Sequence, residues 1–208
     1  PGGGTDQPRT TAEYEALARE ALQDGRTEAA FLYYDKLLAA NPGHLEARAA
    51  GAKLLDARGK HEQALAEFGR VLSANPDHAG AREGLGLALL RAGRAAEAGE
   101  NFRRALALEP SRWKSHYGLG LAPGRTRETP GRGAEALAEF QAARDLAPNQ
   151  PETANGLGLS LLENGRTAEA VDVLSRAVRG PSPNLRAANN LGLALARLGR
   201  EGEALKAF

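Results

Sequence analysis

Small and apolar residues return along this chain in a fixed order. A Gly-Arg or Gly-Lys dipeptide begins at Gly25, Gly59, Gly93, Gly131, Gly165 and Gly199, with separations of 34, 34, 38, 34 and 34 residues. Five positions after each glycine stands Ala30, Ala64, Ala98, Ala136, Ala170 or Ala204, and nine after stands Tyr34, Phe68, Phe102, Phe140, Leu174 or Phe208. Pro42, Pro76, Pro110 and Pro148 follow at seventeen. Eight before the glycine lie Leu17, Leu85, Leu157 and Leu191, each followed by Ala or Gly. Six copies of one pattern are present, the last stopping partway.

The residues within a copy predict a pair of helices. Ala, Leu, Arg and Glu are strong helix formers, and the chain has no isoleucine and little valine with which to build strands. In the third copy the first helix is expected to end at Ala92, with Gly93 supplying a left-handed turn and Pro110 stopping the second helix after Leu108. Leu85 and Leu89 lie one turn apart on one face. Ala98, Phe102 and Ala105 share a face of the second helix, where the small alanine admits a neighbouring helix and the phenylalanine fills the gap beside it.

Composition narrows the picture by exclusion. The 208 residues are 42% hydrophobic and 25% charged, as in soluble globular chains, and no apolar run is long enough to cross a bilayer. Lys and Arg number 27 against 26 Asp and Glu, a net charge of +1 that offers no electrostatic reason to expect nucleic acid as a partner. The absence of cysteine removes disulfides, thiolate metal sites and a cysteine nucleophile. The opening PGGGTDQPRT carries no apolar residue and reads as a flexible tether over 1–10, and a start at Pro1 reads as a chain processed, trimmed or cut from something longer.

Taken together, the 34-residue period and the positions of L-G, A, F and P resemble the tetratricopeptide repeat (TPR) family over residues 11–208. The resemblance implies an all-α fold, a right-handed α-solenoid of about six helix-turn-helix units. These divide as 11–44, 45–78, 79–112, 113–150, 151–184 and an incomplete 185–208. Three copies depart from the pattern. The second has Gly51 and Ala52 in place of L-G. The fifth has Leu174 in place of the aromatic and Pro181 to Pro183 around the expected proline. The fourth is four residues longer, its first helix expected to stop at Pro123-Gly124 before a basic loop with Arg125, Arg127 and Arg132. Such a loop reads either as a partner contact or as a tolerated insertion at a repeat corner. Phe208 falls midway through a second helix, so a continuing chain or a partner is expected to cover that end.

Candidate chemistry is sparse. His44 and His78 occupy equivalent turns 34 residues apart, on different copies, and His61 and His116 have no ligand residues at metal-site spacing. GLGLAPG and GLGLALL lack the lysine and serine or threonine of a phosphate loop, and their glycines are repeat positions. No catalytic residue, cofactor or metal site is expected. The basic residues after the turn glycines (Arg26, Lys60, Arg94, Arg132, Arg166 and Arg200) line one edge, where Glu28, Glu62, Glu97, Glu135, Glu169 and Glu203 neutralise them.

The TPR resemblance further implies that the first helix of each pair lines a concave groove, with the residues six and three before the turn glycine facing into it. Copies one and two carry Arg19 and Lys53 at the first of these positions. Later copies carry Leu87, Leu121, Leu159 and Leu193, with Leu90 and Leu162 extending the stripe. Glu83, Lys114, Tyr117, Asn155, Asn189 and Asn190 supply polar handles, and Gly84, Gly118 and Gly156 leave room for a close approach. With helices about 10 Å apart, four stripes span roughly 30 Å, which suits a helix of about 20 residues or an extended peptide of about 9. The alternative is that these leucines pack on one another or against a further C-terminal helix. The Lys and Asn clamp with which TPR co-chaperones hold a C-terminal carboxylate is missing, since Glu15, Ala50, Gly80, Gly84, Gly118, Leu87 or Leu121 stands at its positions.

The expected function is therefore a non-catalytic protein-protein interaction scaffold that holds an apolar peptide or amphipathic helix. The six-repeat size, the glycine-rich start and the Ala/Arg/Leu usage also resemble bacterial TPR lipoproteins of the pilotin type, which serve type IV or Tad pilus and secretin assembly. That resemblance implies a secretin subunit as partner, a lipid anchor upstream of residue 1 and a periplasmic, outer-membrane-anchored location. A cytoplasmic TPR adaptor, or the substrate-recognition module of a larger enzyme such as a glycosyltransferase or methyltransferase, stands as the alternative.

Overall fold

A computed structural model describes residues 10–122, 132–180 and 185–207. The glycine-rich lead-in, the basic loop with Arg125 and Arg127, the Pro181 to Pro183 segment and Phe208 lie outside the described residues, as does the side chain of Arg132. Twelve α-helices and no strand occur among the described residues. None of these helices is long and apolar enough to cross a membrane.

The chain divides into two compact units, Pro1–Ala92 and Gly93–Phe208, and the division falls inside the third copy. The first unit holds α1 (Thr11–Gln23), α2 (Thr27–Ala40), α3 (Leu45–Ala57), α4 (His61–Ala74) and α5 (Ala79–Arg91). The second holds α6 (Ala95–Leu108), α7 (Trp113–Leu121), α8 (Arg132–Leu146), α9 (Pro151–Glu163), α10 (Thr167–Arg179), α11 (Leu185–Arg197) and α12 (Glu201–Ala207).

Local chemistry sets the helix ends. Gly25, Gly59, Gly93, Gly165 and Gly199 all have φ between 71° and 76°, a left-handed conformation in which a Cβ would clash with the backbone. Each closes a first helix and turns the chain into the second. Thr10 and Glu13 form a reciprocal capping box at α1. His44 and His78 cap α3 and α5, their Nδ1 atoms accepting the backbone N–H of Ala47 and Ala81 at 3.2 Å. α6 ends at Leu108, two residues ahead of Pro110, and α7 ends at Leu121, two ahead of Pro123.

Inside each unit a helix packs on its neighbours in sequence, and the first helices also touch one another: α3 on α5 in the first unit, and α7 on α9 and α9 on α11 in the second. The first helices α7, α9 and α11 thus form a row of their own in the second unit, and α3 and α5 pair directly in the first. The cores between layers are built from the periodic residues. Phe68, Val71, Ala64 and Ala81 lie in one cluster of the first unit, and Phe140, Leu157, Leu174 and Leu191 lie in that of the second. The aromatics interlock with glycines of the following helix. A Cβ added to Gly84 would stand 2.4 Å from Phe68 Cζ, and one added to Gly118 would stand 2.3 Å from Phe102 Cζ. The room expected at Gly84, Gly118 and Gly156 is therefore filled by the protein's own rings, because the phenylalanine of each preceding second helix needs a residue without a side chain to pack against.

Candidate functional site

The outer face of α7, α9 and α11 in the second unit carries most of the residues that the pattern singles out. On α9, Leu157 and Leu161 turn into the core, so Leu159 between them turns away from it and is half-buried. Leu121 on α7 and Leu193 on α11 occupy equivalent positions, exposed by 45% and 41%. Three successive first helices thus each carry a leucine on the side turned away from the core, at the same register.

The polar neighbours are more constrained than their residue types suggest. Tyr117 packs edge-on against Phe140, with ring centroids 5.5 Å apart, and burial raises the pKa of its phenol, with Glu152 adding to that effect and Arg186 opposing it. Asn155 accepts a 2.8 Å hydrogen bond from the Asn190 side chain, tying α9 to α11. Asn189 is exposed, and Lys114 is exposed with its ammonium 5.5 Å from the Trp113 ring centroid.

Leu162 does not belong to the exposed stripe. It is only 3% exposed and sits in the core cluster with Leu161, Ala194 and Leu195. In this copy the position three before the turn glycine lies at the seam between α9 and α11, whereas its equivalents Leu22 and Ala196 are exposed and Leu90 is half-buried. Arg197 of α11 donates to the Leu162 carbonyl at 3.1 Å across that seam.

In the first unit, Leu87 and Leu90 of α5 are half-buried, and Glu83 on the same helix is buried. The seam position of α3 is Asp56, which is buried, lies 2.7 Å from His61 Nδ1 and also pairs with Arg91 of α5. This link was not anticipated from the pattern. Its signal is a carboxylate in a slot that copies one, three and five fill with Leu22, Leu90 and Leu162.

At three of its six positions the basic edge is neutralised by the expected glutamate. Arg94, Arg166 and Arg200 each make a two-pronged contact with Glu97, Glu169 and Glu203, at 2.6–2.8 Å. These hydrogen bonds hold the three carboxyls below the ordinary glutamate range. Arg26 departs from the pattern by pairing with Asp24 and Glu20, while Glu28 pairs with Arg58. The remaining histidine, His116, contacts Glu139 at 2.6 Å and the Pro110 carbonyl at 3.0 Å. No group of His, Asp and Glu among the described residues is arranged to hold a metal ion.

A family model described as tetratricopeptide repeat matches residues 49–112, 124–185 and 155–208, more than half of the chain. The chain belongs to the tetratricopeptide repeat family. TPR proteins bind other proteins or peptides, and this chain is a protein-protein interaction scaffold of that kind. No curated protein matches its sequence.

Solved structures share the fold, an α-solenoid of TPR helix pairs. One, from the functional characterisation of Pseudomonas aeruginosa PilF, has a TM-score of 0.78 at 23% identity, covering 95% of this chain and 88% of that one. YrrB, a TPR protein with an unusual peptide-binding site, gives 0.65 at 23% identity, covering 84% and 88%. The Cut9–Hcn1 hetero-tetramer of the APC/C gives 0.85 at 17% identity, covering 97% of this chain and 39% of that one.

Proposed function

We propose that the TPR array holds an apolar segment of another protein in its concave groove, along the solvent-facing side of the first helices α7, α9 and α11. The reading rests on Leu121 and Leu193, each more than two-fifths exposed at equivalent positions of first helices, with half-buried Leu159 between them. Apolar area left in water at a repeated position is recovered when a partner's apolar face covers it. Tyr117, Asn155 and Asn189 border the leucines and supply the orienting polar contacts. An amphipathic helix or an extended peptide meets that requirement.

The narrower reading is a pilotin-like assembly factor, with a secretin subunit as the partner and a lipid anchor upstream of residue 1 holding the array at the outer membrane in the periplasm. The glycine-rich opening of the sequence and the fold shared with PilF over 95% of the chain support it. A cytoplasmic TPR adaptor uses the same face without the anchor.

Replacing Leu121, Leu159 and Leu193 together by Asn tests the surface. These leucines contribute little to the core, so the triple variant is expected to fold with a loss within about 1 kcal/mol per site. Titration calorimetry against a purified secretin subunit from the same organism should show binding by the parent chain and none by the variant. A folded variant that still binds its partner overturns the surface assignment. Absence of secretin binding by the parent, with capture of an amphipathic helix retained, overturns the pilotin-like reading and leaves the adaptor.

A further inference from the structure

The second copy lacks a leucine that every other copy has. Gly51 and Ala52 stand where the others carry Leu17-Ala18, Leu85-Gly86, Leu119-Gly120, Leu157-Gly158 and Leu191-Gly192. Leu119, Leu157 and Leu191 are all buried, and Leu85 packs against the cluster that contains Phe68. In those copies the leucine side chain fills the space between helices. At Gly51 a Cβ would meet nothing within 4 Å.

That missing side chain opens a cavity of about 640 Å³ lying entirely within the first unit. Phe31 and Leu38 of α2 form one wall, Gly51, Ala52 and Leu55 of α3 the floor, and Ala66 of α4 the opposite wall. Its size falls in the range of about 300–1,000 Å³ found for ligand pockets. The cleft is open to solvent, as the exposure of Ala66 shows, and a bound apolar side chain would cover apolar lining that otherwise faces water.

The charges at the mouth decide what can enter. Glu67 has both carboxylate oxygens engaged, one by Arg48 at 2.7 Å and the other by Arg70 at 2.6 Å. Arg48 donates its other terminal nitrogen to the Pro42 carbonyl at 2.8 Å. With Asp35 also at the rim, two carboxylates face two guanidinium groups and the mouth is neutral. A ligand head bearing net charge therefore gains no net attraction from these four groups. Gln63, Asp35 and Arg70 are exposed and offer both donors and acceptors, which suit the N–H and C=O groups of a peptide main chain.

We propose that this cavity is a second peptide-binding site, one that takes bulky aliphatic side chains from an uncharged stretch of a partner polypeptide. It shares no residue with the face of α7, α9 and α11, so the two assignments stand or fall separately.

The test uses the full chain and the capped dipeptide N-acetyl-leucyl-leucinamide, followed through methyl resonances. Saturable shifts are expected at Ala52, Leu38, Leu55 and Ala66. Gly51→Leu should fill the cavity with the residue type the other copies use, leave the melting temperature equal or higher, and weaken binding by about tenfold or more. Ala66→Phe blocks the cavity from its exposed wall and gives the same answer if Gly51→Leu fails to fold. Octanoate and octylammonium carry the same apolar bulk with a charged head and should bind more weakly than the dipeptide. The proposal is overturned by an absence of shifts at these methyls, by shifts that persist in a folded blocking variant, or by tighter binding of either charged amphiphile.

Discussion

A methyl group at Gly84 would have to share space with the ring of Phe68, which is wholly buried and has nowhere to swing. The same holds for Gly118 against Phe102 and, with Leu174 as the neighbour, for Gly158. Helix propensity alone favours Ala over Gly by about 0.5–1 kcal/mol. Overpacking of a tight core costs about 1–3 kcal/mol and wins at these sites. Gly84→Ala and Gly118→Ala are thus expected to lower stability in urea titrations. Gly51→Ala, whose methyl enters open space, should raise it by about 0.5–1 kcal/mol. Equal effects at Gly84 and Gly51 would mean that the ring of Phe68 does not rest against α5. Residues identical in type and both within first helices thus have opposite expected signs, and only their neighbours separate them.

At the scale of helices and turns, the sequence pattern was a good guide wherever a local rule operates. The left-handed glycines, the end of α6 ahead of Pro110 and the end of α7 ahead of Pro123 all follow from backbone sterics, which need no knowledge of the rest of the chain. Gly59→Ala or Gly165→Ala is accordingly expected to cost about 1–2 kcal/mol, the penalty of a Cβ in the left-handed region. Asn at either position should cost less, because it tolerates that region. Chemical denaturation of the two variants at each site alongside the parent measures the difference, and an alanine variant as stable as the parent would show that the turn can be closed another way. Site residues were less legible. Leu159 and Leu162 are both leucines three positions apart on one helix, yet one lies half-buried on the outer face and the other is sealed by α11. The burial of Leu162, like that of Asp56, is decided by the next first helix, and that of Gly84 and Gly118 by a ring of the preceding second helix. A period read along one chain gives the spacing of these positions without their distance across the seam.

At the scale of the whole molecule, stability in a repeat protein is a sum over units and their nearest neighbours, so damage to one place is felt mainly there. The chain offers a direct way to see this, because its single tryptophan, Trp113, sits at the start of α7 in the second unit, whereas helical circular dichroism reports on both units. Phe68 fills the core of the first unit and is wholly buried, so Phe68→Ala should remove about 3–5 kcal/mol of stability there. The expected outcome is a circular dichroism transition that moves to lower urea, or splits, while the fluorescence transition of Trp113 shifts less. Coincident transitions displaced by the same amount would instead make the array one all-or-none unit. The distinction bears on function, since the two proposed sites lie on different units. If unfolding is separable, Phe68→Ala should weaken capture of the capped dipeptide by the first unit and leave partner binding at Leu121, Leu159 and Leu193 intact at urea concentrations below the Trp113 transition.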